Sequence, residues 1–159
     1  MVITGIGIGR GVALGPVVRM APALAEPSDD PRRSDVSAAA EFERASRSLD
    51  AVRKDLDARA TAALSGAAGA RKAAPILQAL GQVGGGPALR DSMRGLIDGG
   101  RAAPRAVLEG FAGFESRLSA LGGYMAERAG DLHDVGQRVI ADLLGVPAPG
   151  VPVSDSPFV

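Results

Sequence analysis

Between Val36 and Leu64 the apolar residues recur at three- and four-residue steps. Phe42, Ala45, Leu49, Val52, Leu56, Ala60 and Ala63 form one stripe, the period of an amphipathic helix. On the other side Glu43 precedes Arg47, Asp50 precedes Lys54 and Asp55 precedes Arg59, each by four residues with the acid first. That order favours ion pairs along a helix. Such a helix is about 43 Å long at 1.5 Å per residue, and Gly66 ends it. A second helix is predicted over Ala68 to Val83, with Ile76, Leu77, Leu80 and Val83 on its apolar side. Pro75 lies inside that pattern and should start a fresh turn or kink the helix. Gly84 to Gly86 break it, and Pro87 opens a short helix through Leu89, Met93, Leu96 and Ile97, stopped by Gly99 and Gly100. Pro104 opens the next long helix, with Val107, Phe111, Phe114, Leu118 and Leu121 in a 4-3-4-3 stripe closed by Gly122 and Gly123. The last helix places Met125, Ala129, Leu132, Gly136, Val139 and Leu143 on one face.

Each stripe needs a partner to bury it, and long helices joined by short glycine turns do this most simply as an antiparallel four-helix bundle. The expected fold is therefore mainly α, with the second helix kinked or split. Residues 2–20 carry a different rhythm. In "VITGIGIGRGVALGPVVRM" small and β-branched residues alternate around Gly9 to Gly11, which predicts a short N-terminal β-strand pair about a tight turn. Pro22, Pro27 and Pro31 then mark a linker. At the far end "GVPAPGVPVSDSPFV" is extended and proline-punctuated, and we expect it to lead into further structure in a longer chain.

The 159 residues suffice for one ordinary domain core. Eighteen Lys and Arg balance eighteen Asp and Glu, which gives no electrostatic case for nucleic acid or an anionic membrane and favours a protein or small ligand as partner. No cysteine is present, so thiol chemistry, disulfides and cysteine-ligated metal are excluded, and a single histidine excludes a histidine-rich metal site. No apolar run approaches a membrane span and no signal-peptide pattern opens the chain. The expected location is cytoplasmic.

Three features invite chemistry. "GIGIGRG" has dinucleotide-loop spacing at Gly5, Gly7 and Gly9, but no helix follows to present its N-terminus to a pyrophosphate and no acidic residue stands about 20 positions on, so turn glycines are the better reading. His133 lies mid-helix with no Ser or Cys nucleophile beside it and reads as a surface-flank histidine that could touch a partner. Glu127, Asp131 and Asp134 are diluted by Arg128 and Arg138 and read as a solvated face, not metal ligands. Arg71 and Lys72 stand at the start of helix two in a region otherwise free of charge, either as a docking spot for an acidic surface or as helix decoration.

The segment "YMAERAGDLHDVGQRVIADLLG" resembles the linker-helix segment of Enzyme I, the phosphoenolpyruvate-protein phosphotransferase of the bacterial sugar phosphotransferase system. The family's Tyr-Leu-x-Glu-Arg-Ala-x-Asp-x-Arg-Asp-x-Gly run is matched at Tyr124, Met125, Glu127, Arg128, Ala129, Asp131, Asp134 and Gly136. "GIGIGRGVALGPV" is similar to the family's opening strand pair, with Arg10 in place of a proline. The resemblance implies an α/β phosphohistidine domain interrupted by a four-helix insert that binds the carrier protein HPr. On that reading residues 1–33 are the strands and linker of an incomplete α/β domain, 34–145 the HPr-binding bundle, and 146–159 the start of the return to the α/β half.

The family's phosphorylated histidine lies in a Gly-Gly-x-Thr-Ser-His motif that this sequence lacks, so the resemblance implies a docking piece of a transferase, inactive alone. It implies no cofactor in this chain and magnesium for the full-length enzyme, which would be a homodimer through a C-terminal domain that is missing here. The HPr-contact residues it implies are Arg71, Lys72, Gln78, Gln82, Ala88 and His133. Where the family carries a Glu-Glu-Lys-Glu run, this sequence has Arg71, Lys72, Ala73 and Ala74, a reversal of charge. Either the carrier supplies compensating acids or docking is weakened. The alternatives are a stand-alone helical interaction module and a specialised, nitrogen-type paralogue.

Overall fold

Ser37 sets the start of the first helix. Its backbone is extended and its hydroxyl accepts the N–H of Ala40 at 3.1 Å, an N-cap that satisfies one of the first-turn donors. The computed structural model describes residues 15–18, 22–66 and 71–150. Among them are five helices: α1 (Ala38–Leu64), α2 (Ala74–Gly84), α3 (Pro87–Asp98), α4 (Ala103–Leu121) and α5 (Gly123–Leu144). The fold is mainly helical, as expected, and the second helix of the bundle is split into α2 and α3 at Gly85 and Gly86.

Pro75 falls in the first turn of α2, where a missing N–H breaks no helical hydrogen bond. The proline thus starts a fresh turn, as one of the two expectations had it, with α2 beginning at Ala74 and Arg71 and Lys72 preceding it; the expected start at Ala68 lies outside the described residues. Gly122 and Gly123, at φ 70° and 52°, turn the chain between α4 and α5. Gly145 closes α5 in the left-handed conformation at φ 66°, and the N–H of Val146 reaches back to the carbonyl of Ala141 at 3.0 Å. The strand pair predicted over residues 2–20 lies outside the described residues except for 15–18, which form no strand. Pro31 and Arg101 form an isolated antiparallel β-bridge.

α1 packs against all four other helices, and α4 lies along α5. The core between them is built from Leu49, Leu89, Met93, Ile97, Val107, Phe111, Leu132, Val139 and Ile140, all essentially inaccessible. Phe111 sits against Gly136, where a Cβ would lie 2.9 Å from the Phe111 Cγ, so glycine is what lets α4 and α5 approach at this level. The stripes of α1 and α5 are buried largely as predicted. Of the expected pairs on α1, Arg59 to Asp55 forms at 2.7 Å, while Asp50 turns to Arg90 of α3 at 2.6 Å and ties the two helices together.

The linker before α1 is strapped to the α3–α4 corner. The N–H of Arg32 donates to the carbonyl of Gly100 at 2.7 Å. Arg105 of α4 reaches Glu26 at 2.7 Å, Asp29 at 3.0 Å and its own helix neighbour Glu109 at 2.8 Å. The hydrogen bond to Glu109, with those from Glu26 and the charge of Asp29, raises the Arg105 pKa against a smaller opposing effect of burial.

Candidate docking site

α2 is fastened to the bundle by its smallest residues. Ala74, Gly81 and Gly84 are the ones it buries. At Gly84 a Cβ would come within 3.0 Å of Val135 on α5, and at Gly81 within 3.8 Å of Leu56 on α1. The glycine side of the helix therefore faces inward, Leu77 and Leu80 pack half-buried against the core, and the other two residues of the predicted stripe, half-buried Ile76 and exposed Val83, lie towards the surface. This corrects the expected burial of Ile76 and Val83.

Those side chains form one wall of an open groove. Pro75, Ile76, Ala79, Leu80 and Val83 of α2 face Leu118 of α4 and Tyr124, Met125, Arg128 and Leu132 of α5 across a hollow of about 350 Å³. Val83 is 44% exposed, Met125 40% and Tyr124 61%, and Leu121, three residues beyond Leu118, is 70% exposed. A contiguous apolar surface of this kind, made from two elements, is the usual mark of a protein-binding site. Met125, expected on a core stripe, lines the groove instead, and Leu121, likewise expected on a core stripe, is exposed.

One charged residue enters the groove. The Arg128 guanidinium stacks 4.6 Å from the Tyr124 ring and donates from Nη1 to Asp131 at 2.5 Å. That hydrogen bond raises the Arg128 pKa, partly countered by desolvation and supported by Tyr124. Its Nε is buried and finds no acceptor among the described residues.

The residues singled out from sequence fall into two neighbourhoods. Arg71 and Lys72 are exposed immediately before α2, Gln78 and Gln82 are exposed one turn apart on it, and Ala88 is exposed in the first turn of α3. None of them lines the hollow. His133 sits elsewhere. Its Nδ1 is 3.2 Å from a Glu115 oxygen and its Nε2 3.3 Å from the Gln137 amide nitrogen, and it borders a second hollow with Leu24 to Pro27 and Arg105. The groove residues Ile76, Ala79, Val83, Leu118, Tyr124 and Met125 were not singled out. The available signal was the glycine spacing at 81 and 84, which sets the inward face of α2.

Among the described residues no three His, Asp or Glu side chains converge on a point that could hold a metal ion, and Asp131 is committed to Arg128. Among them, too, no helix is long and apolar enough to cross a membrane.

The sequence profile of the family described as PEP-utilising enzyme, N-terminal, matches residues 4–128. The chain belongs to this family. It is 39% identical over 159 residues to a phosphoenolpyruvate-protein phosphotransferase of Streptomyces coelicolor, a match that covers 99% of this chain and 27% of that protein. The chain thus spans about a quarter of the length of that relative. Two solved structures share the fold. The N-terminal domain of an Enzyme I of the nitrogen type superposes with a TM-score of 0.70 at 24% identity, over 84% of this chain and 58% of that one. The solution structure of an Enzyme I protein superposes with a TM-score of 0.61 at 23% identity, over 82% and 54%. The resemblance drawn from residues 124–136 is thereby borne out.

Proposed function

We propose that this chain is the carrier-docking part of a phosphoenolpyruvate-protein phosphotransferase, and that the groove between α2, α4 and α5 receives an HPr-type phosphocarrier protein. The observation that carries the reading is the apolar groove itself, open on the surface of a bundle that belongs to the PEP-utilising N-terminal family. Residues 34–145 form the docking bundle, with 1–33 and 146–159 belonging to the adjoining α/β domain, and the protein works in the cytoplasm in sugar uptake.

The chemical division of labour follows. The described residues offer no cluster that fits magnesium, and the lone histidine is engaged with Glu115 and Gln137 away from the groove. We therefore derive no phosphoryl-transfer step through this chain's own side chains. Magnesium, the phosphorylated histidine and dimer contacts belong to other parts of the enzyme. What the bundle contributes is proximity: it holds the carrier so that its acceptor group meets the phosphohistidine in an effectively unimolecular step. Ile76, Ala79, Val83 and Met125 supply the apolar floor and rim, and Arg71, Lys72, Gln78, Gln82 and Ala88 the periphery.

Isothermal titration of the full chain with the HPr-type carrier of Streptomyces coelicolor tests this. Ala79→Trp fills the groove from an exposed position and should leave the fold intact while weakening binding at least about tenfold, the effect expected of blocking the centre of an interface. Equal affinity for parent and variant overturns the assignment of the groove.

A further inference from the structure

The sequence has four methionines and no cysteine, so methionine is the only sulfur an oxidant can meet in this chain. Two of the four lie among the described residues, in opposite surroundings. Met93 is wholly inaccessible in the core, at 0% exposure, and its Cγ is 3.1 Å from where a Cβ on Gly110 of α4 would stand. Met125 is 40% exposed. It lies in the first turn of α5, just beyond the turn at Gly122 and Gly123, and lines the hollow with Pro75, Ile76, Ala79, Leu80 and Leu118. Its side chain is therefore open to small solutes in the free chain and is covered by whatever occupies the groove. Exposure of this kind is what decides which methionine is oxidised.

We propose that Met125 is a reversible oxidation site, at which a peroxide converts the thioether to the sulfoxide and closes the groove to its partner. The step balances with hydrogen peroxide alone. A sulfur lone pair attacks one peroxide oxygen, the S–O bond forms as the O–O bond breaks, sulfur gives up two electrons, and the departing hydroxide takes the remaining proton and leaves as water. The reverse step belongs to methionine sulfoxide reductases with a thiol as reductant, which return the thioether, water and a disulfide. Oxidation sets a strongly polar S–O group in a wall built from apolar side chains, and a partner seated there must strip that oxygen of its water. Met93 is shielded by the core, so the change acts on docking and leaves the bundle folded. This rests on the docking role of the groove and adds a chemical modification that governs it.

The test uses the full chain and hydrogen peroxide, removed with catalase before the Streptomyces coelicolor HPr-type carrier is added. Peptide mass spectrometry should show one added oxygen at Met125 well before any at Met93. Calorimetry should then find docking weakened at least about tenfold, with an unchanged circular dichroism spectrum. Reductases for both sulfoxide epimers, with dithiothreitol, should restore the affinity. Met125→Leu, compared with itself before and after peroxide, should lose no affinity, since leucine has a similar volume and no sulfur to oxidise. Oxidation of Met93 as fast as Met125 overturns the site, and so does a peroxide effect of equal size in Met125→Leu. If Met125 is oxidised and the carrier binds as before while Ala79→Trp still blocks it, the switch is wrong and the groove assignment stands. If the parent chain binds no carrier, or if neither oxidation nor Ala79→Trp changes its binding, both fall.

Discussion

Glu41 is a carboxylate on α1, only 4% exposed, that caps a different helix. The N-cap position of α4 is Ala102, which has no side-chain acceptor, and the buried first-turn N–H of Ala103 donates to the Glu41 Oε1 at 2.7 Å. Arg44 donates to the same carboxylate at 3.0 Å and also approaches the carbonyl of Leu143 at the end of α5. The paired side chains of Glu41 and Arg44 therefore hold together the start of α1, the start of α4 and the end of α5. Glu41→Ala removes a hydrogen bond between a buried backbone donor and a charged acceptor, about 1.5–3 kcal/mol. It also removes an anion from a helix N-terminus, worth about 0.3–1 kcal/mol. Relief of the desolvation cost of a buried carboxylate returns part of this. The net expectation is a loss of about 2–3 kcal/mol, which for a chain of this size lowers Tm by about 4–12 °C at about 2–4 °C per kcal/mol. Glu41→Gln keeps an acceptor for Ala103 and should cost roughly half as much. Urea unfolding followed by circular dichroism, with the three proteins at matched concentration, measures this. A Glu41→Ala loss under about 0.5 kcal/mol would refute the capping role. A Gln variant as unstable as the Ala variant would shift the stabilisation to the Arg44 pair.

Gly136→Ala should destabilise by up to about 2 kcal/mol. The new methyl meets Phe111 near its rigid base, and overpacking of about 1–3 kcal/mol outweighs the roughly 1 kcal/mol gained in helix propensity. Gly130→Ala on the same helix, with open space at its Cβ position, should instead stabilise by up to about 1 kcal/mol; thermal melts of the pair give opposite signs or the packing argument fails. Ser37→Ala should cost about 1 kcal/mol by removing the α1 cap, read from chemical denaturation. Arg105→Ala should release the linker strap, seen as faster hydrogen exchange at the Arg32 N–H with the core amides unchanged; unchanged protection at Arg32 would show that the backbone bridge suffices. Because the Arg105 pKa is raised, its contribution is present at neutral pH and is lost only as pH climbs through the alkaline range above an ordinary arginine.

Where sequence patterns had an unambiguous partner they translated directly into structure. Ala45, Leu49, Val52, Leu56 and Ala60 of α1 and Ala129, Leu132, Gly136 and Val139 of α5 are buried at the predicted spacing, because two long stripes facing each other leave little choice of rotation. α2 behaved otherwise. Its apolar residues nearly surround the helix, so periodicity could not fix which side faces in, and backbone approach at Gly81 and Gly84 decided it. The same ambiguity hid the groove, since a stripe destined for a partner protein looks like one destined for the core. Asp50 illustrates a second limit: Lys54 is the local partner on the helix, yet Arg90, 40 residues on, takes the ion pair. Glu41 gave no local hint at all, as its acceptor role depends on an N–H 62 residues away.

The Arg44 contact with the Leu143 carbonyl has a bearing on how such a bundle can be housed. It places the second turn of α1 beside the last turn of α5, so the chain enters and leaves the helical unit at neighbouring points on one end. A unit with that geometry can be inserted into another domain as a bulge on a short loop. The closure entropy it imposes is nearly independent of how many residues the bundle contains, because those residues are already folded. Helices can therefore lengthen, split as α2 and α3 have, or exchange their outer faces without moving the two strands of chain that connect them to whatever lies beside.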